Sequence, residues 1–79
     1  MPFSCRGQEY RYVVGSDVQR DGMYLEVTDT QTEPDVLEVF YSDQTDQMTF
    51  TAYRWDIPLE LVEWAVTLAK ERLIPTAKR

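Results

Sequence analysis

With 79 residues, 43% of them hydrophobic and 13% aromatic, the chain is long enough for one small core and too apolar to be disordered. Its net charge of −6 is concentrated: residues 17–63 hold 12 acids against two bases, and the remainder six bases against two acids. That acidic middle argues against nucleic acid and anionic membrane surfaces as partners, since both are held by Lys and Arg, and it admits a basic protein.

In chain order, a lead-in with Pro2 and Gly7 precedes a first strand over residues 10–18, with Phe3 set to anchor the lead-in on the core. Gly15 weakens that strand or marks a bulge. Asp21-Gly22 is the two-residue signal of a type I′ hairpin. It leads into a second strand, 23–28. The segment 28–35, with Pro34, is loop chemistry. A third strand follows at 36–41, a turn over Asp43 to Asp46, and a fourth strand at 48–54. The stretch 58–73, PLELVEWAVTLAKERL, has a helical period. Proline fits its first turn, and Pro75 ends it, because the residue before a proline avoids the α region. Residues 75–79 form a frayed tail. No 18-residue apolar run exists for a membrane span. With a single cysteine, Cys5, there is no internal disulfide. No apolar signal segment opens the chain, so a cytoplasmic setting is expected.

Strand parity predicts one inner face. Met23, Leu25 and Val27 share a side, as do Leu37, Val39 and Tyr41, and Met48, Phe50 and Ala52. A two-residue turn at Asp21-Gly22 pairs Val18 with Leu25 and adds Tyr12 and Val14 to that side. A four-residue turn pairs Val39 with Phe50. Leu61, Ala65, Leu68 and Leu73 give the helix its docking stripe. The expected fold is α+β in two layers: a four-stranded antiparallel β-meander with one C-terminal helix on its inner face, as a single domain over 1–79. The register across the central loop stays open. One option sets Glu26 directly opposite Glu38, a like-charge pair that costs stability.

Little in the sequence carries chemistry. There is no His, the commonest general base and metal ligand. Cys5 has no Cys or His partner for nucleophilic work. The loop acids lack EF-hand spacing, and Asp in turns is explained by Asx turns. No glycine-rich phosphate loop occurs. The reading is of a chain that is not an enzyme and takes no metal or cofactor. No motif is specific enough to assign a family.

Two functional expectations remain. In the first, the chain is a small acidic interaction module. It binds a protein, its own copy included, through an aromatic outer sheet face of Tyr24, Phe40 and Tyr53 with Val13, Val36, Thr49 and Thr51. Such aromatics also stabilise a sheet with no partner at all. Glu26 and Glu38 share this face and need the rim or Arg11. Trp55 and Trp64 are placed at the core rim. In the second, the chain is an acidic inhibitor or immunity-like protein. Asp29, Glu33, Asp35, Asp43 and Asp46 then meet a basic site on a partner enzyme.

Overall fold

The structure, a computed structural model, describes residues 3–5, 7–31 and 35–74. Six elements follow in order: β1 (Phe3–Cys5), β2 (Gln8–Asp17), β3 (Gly22–Asp29), β4 (Asp35–Ser42), β5 (Met48–Ala52) and α1 (Leu59–Arg72). The strands form one antiparallel sheet in the order β1-β2-β3-β4-β5. The class is α+β, with five strands where four were expected. The added strand lies in the lead-in, where Phe3, Ser4 and Cys5 pair with Tyr10, Glu9 and Gln8. Gly7 takes φ +79 in the turn between them, a conformation that costs glycine nothing.

The first hairpin corrects the expected turn. Asp17 faces Gly22, so the turn spans residues 18–21, and Leu25 meets Val14 rather than Val18. The cause is the Asp17 side chain, whose Oδ1 accepts from the backbone N–H of Gln19 and of Arg20 at 3.1 Å each. This Asx-type cap organises a longer turn than Asp-Gly alone would. Asp21 carries the positive φ, 56°. Gly22 is glycine for space instead: a Cβ there would collide with the Tyr41 carbonyl oxygen and the Phe40 ring. Because the register moved by an even number of residues, the inner-face parity survived. Gly15 marks no bulge. The Tyr24 ring lies over it, where a Cβ would come within 2.6 Å of the tyrosine oxygen.

The β4–β5 hairpin has the expected register, Val39 with Phe50 and Leu37 with Ala52. Its turn closes through Ser42 N–H to Gln47 O at 2.9 Å, with Asp46 at φ 59°. The central pairing adopts the costly option, Glu26 opposite Glu38. A β-bulge falls between Val27 and Thr28, which face Leu37 and Asp35. Val36 is the extra residue. The bulge breaks the alternation there, and Val36 is buried in the core beside Leu37 instead of standing on the outer face.

Leu25, Val27, Leu37, Val39 and Tyr41 form the core floor, closed by Leu61, Ala65, Ala69 and Leu73 of α1. Leu68 is only partly buried; Ala69 takes its place in the docking stripe. Two alanines four residues apart bring the helix close to the sheet. Pro58 caps α1 without a side-chain bond, its carbonyl accepting from the Leu61 and Val62 N–H groups. Glu60 in the first turn and Lys70 and Arg72 in the last suit the helix dipole. α1 lies against β1, β3 and β4. The Trp64 ring stacks on Phe3 at 4.7 Å and meets Tyr12 edge-on at 5.7 Å, which holds the helix toward the β1 side.

Candidate protein-interaction surface

The outer face is more self-sufficient than its aromatic content suggests. Tyr24 is half-buried over Gly15, and Phe40 is half-buried against Gly22. An aromatic ring laid over a strand glycine restores packing that the glycine lacks. Arg20 then closes the centre. Its Nη1 and Nη2 donate to the two Glu38 oxygens at 3.3 and 2.9 Å, and its Nε donates to Asp17 at 2.6 Å. The same guanidinium sits 4.0 Å above the Phe40 ring centroid. Arg20, not Arg11, is therefore the cation that makes the Glu26–Glu38 pairing tolerable. Two carboxylates hold the Arg20 pKa above its ordinary value. Glu26 keeps a cost: burial, then Asp35 and Glu38, push its carboxyl above the usual carboxylate range. Tyr53 is likewise raised, by desolvation and then by Glu38, Glu26 and Asp35.

Exposure concentrates elsewhere. Among the described residues, six large hydrophobic side chains are exposed, and four of them, Phe50, Tyr53, Trp55 and Leu59, fall within ten residues. They occupy β5, the link after it and the first position of α1. Phe50 belongs to the inner face, opposite Val39, yet remains 47% exposed, α1 lying chiefly over β1, β3 and β4. Trp55, expected at the core rim, is 93% exposed. Val13 is exposed on β2, and Thr49 and Thr51 on β5. Of the expected outer-face set, Tyr53 and Thr51 are thus open, Tyr24 and Phe40 are partly covered and Val36 is buried.

Parity could have found part of this. It put Phe50 and Ala52 on the inner face but not the limit of one helix's reach.

The acids do not converge. Asp29 is buried, accepting from Gln8 Nε2 at 2.5 Å, from Arg54 Nη1 at 3.1 Å and from the Gln31 N–H at 2.9 Å. Asp46 accepts from the Tyr41 hydroxyl at 2.6 Å. Asp35 and Asp43 are exposed but flank the two ends of β4, about 25 Å apart at strand rise. Glu33 lies outside the described residues, as does the tail, 75–79.

An open depression of about 400 Å³ on the outer side of β2 and β3 is lined by Arg11, Val13, Thr28, Asp29 and Thr30. Among the described residues no three His, Cys, Asp or Glu side chains cluster with metal-holding geometry, and no helix is long and apolar enough to cross a membrane. Cys5 is buried, its Sγ 3.8 Å from Glu60 Oε1. Comparison with protein-family models, curated proteins and solved structures finds no significant match.

Proposed function

We propose that the chain is a non-enzymatic protein-interaction module that binds through β5 and the link to α1. The observation that carries the reading is the run of exposed apolar side chains, Phe50, Tyr53, Trp55 and Leu59, on an otherwise acidic molecule. Exposed apolar and aromatic side chains gathered along one edge of a small domain mark association sites. Tryptophan and tyrosine are the side chains that dominate binding energy when a partner covers them. This surface keeps Tyr53 and Thr51 from the outer-face expectation and moves its centre to the sheet edge. The acidic-inhibitor alternative has less support, since its carboxylates are divided between two ends of the sheet and three of them, Asp29, Asp35 and Asp46, already accept hydrogen bonds within the chain.

A photo-crosslinking residue at position 55, compared with one at position 70 on the solvent side of α1, tests the reading in cells and with purified protein. The expected result is a protein adduct of defined mass at 55, absent at 70, that persists in high salt and is lost in Leu59→Ser. Apolar association survives salt, whereas carboxylate-driven binding weakens steeply. No adduct at 55 under either condition overturns the reading.

A further inference from the structure

The geometry points to a specific occupant: we propose that β5 pairs edge to edge and antiparallel with β5 of a second copy of this chain, about a two-fold axis through Phe50. The proposal rests on the reading of residues 50–59 as the interaction surface and names its partner.

The backbone sets the register. Tyr53 N–H donates to Val36 O at 2.8 Å, so the peptide groups of Tyr53 face β4. Backbone direction alternates along a strand. Thr51 and Thr49, opposite Glu38 and Phe40, therefore also face β4. The N–H and C=O groups of Met48, Phe50 and Ala52 face away from it. Among the described residues β5 pairs with β4 alone, so these groups line the sheet edge. Their spacing is centred on Phe50. A two-fold axis there makes Phe50 pair with its own counterpart and Met48 with Ala52 of the other copy, each pair exchanging both backbone bonds.

The side chains favour a self-partner. In this register the strand Met-Thr-Phe-Thr-Ala reads as its own complement: Phe against Phe, Met against Ala, Thr against Thr. Cross-strand aromatic and Thr–Thr pairs are among the favourable ones. The edge has no charge, proline or bulge within 48–52, the devices by which native sheets refuse pairing. Four residues to either side of Phe50 stand Asp46 and Arg54, so the axis also brings opposite charges of the two copies to the same end. The inner faces of both sheets continue into one another, and the two half-exposed Phe50 rings meet there. An isologous contact of this kind closes as a dimer, whereas pairing β5 with the opposite edge would propagate.

Sedimentation velocity over about 5–200 μM in low and high salt, with amide exchange at two concentrations, tests this. The wild type is expected to form a dimer that persists in high salt, with Phe50 and Ala52 amides more protected at the higher concentration. Ala52→Pro removes an edge donor whose loss β4 does not feel, and Phe50→Lys sets two cations face to face. Each should weaken the dimer at least about tenfold while retaining the wild-type circular dichroism spectrum. If Ala52→Pro fails to fold, Phe50→Lys carries the comparison. A wild-type monomer at 200 μM overturns the self-pairing, and the position-55 adduct with another protein then leaves the broader reading standing. A dimer whose Phe50 and Ala52 amides exchange at a concentration-independent rate also overturns it, because association then uses a sheet face and not the edge.

Discussion

The two edges of the sheet are treated very differently. β1 has three residues and lies under the helix, with Phe3 stacked on Trp64 and Cys5 only 5% exposed. β5 has five residues, four of them exposed, and α1 packs chiefly on β1, β3 and β4. The reason is dimensional. A helix is about 10 Å across, and five strands at a spacing of about 4.8 Å span roughly 19 Å. One helix of that width leaves part of the inner face bare, so its position over β1, β3 and β4 decides which edge is better finished. The Phe3–Tyr12–Trp64 cluster draws it to β1. The open edge is then where an acidic, otherwise well-satisfied surface becomes apolar.

The strongest way to break this asymmetry is to undock the helix. Leu61 is fully buried between α1 and the sheet. Leu61→Ala should cost about 2–5 kcal/mol, lowering the thermal midpoint by roughly 10 °C or more. A variant that melts within a degree or two of the parent would show that α1 does not hold β1 down.

Gly22→Ala acts on the sheet centre and should weaken both edges together. The added methyl meets the Tyr41 carbonyl, a backbone atom that cannot rotate away, so about 1–3 kcal/mol is lost to overpacking. Asp21→Gly, at the position with φ 56°, should shift stability by only about 0.5 kcal/mol. Equal losses for the two variants in urea titrations would contradict the assignment of the left-handed residue.

Phe3→Ala makes the finished edge resemble the open one. The half-buried stack on Trp64 is lost, at about 1–2 kcal/mol. Amide exchange should accelerate in β1 and in residues 8–10 of β2 while β5 stays unchanged. Acceleration spread evenly over the sheet would mean that the edges are not independent.

Much of this architecture was legible beforehand. Alternation in β3, β4 and β5, the turn over Asp43 to Asp46 and the period of α1 each repeat a local signal. What escaped was non-local or too short. Three residues of β1 carry no period. The Asp17 side chain outweighed the Asp-Gly signal by capping two amides of the turn. Val36 is itself the bulged residue, which no alternation rule anticipates. The Glu26–Glu38 pairing looked costly because its remedy, Arg20, stands 18 residues before Glu38. The candidate surface was half visible for the same reason: Tyr53 and Thr51 follow from parity, but the exposure of Phe50 and Trp55 depends on where the helix sits.

The smallest expected effect sharpens the picture of the outer face as a self-contained surface. Glu26 faces Glu38, and burial together with Asp35 and Glu38 raises its pKa above 4.5. An acid with a raised folded-state pKa binds its proton more tightly folded than unfolded. Ionised, it weakens the fold, and the penalty is relieved as pH falls through the raised value. Glu26→Gln should therefore stabilise the protein by about 0.2–1 kcal/mol near neutrality, and the gain should fade as pH drops through the Glu26 pKa. Asp17 runs the other way. Arg20 lowers its pKa below 3.8, so its stabilisation is present above the ordinary value and lost as pH falls through the folded one. The two effects separate along the pH axis, Glu26 first. Arg20→Met supplies the second arm of a double-mutant cycle. It leaves Glu38, 7% exposed, beside Glu26 without its cation, so the gain from Glu26→Gln should be larger in that background than in the parent. Urea midpoints at steps from about pH 7 down to about pH 4 measure the Glu26→Gln gain in both backgrounds. A gain that stays constant across that range, in either background, would mean that the two glutamates do not feel one another and that Arg20 serves Phe40 and Asp17 alone.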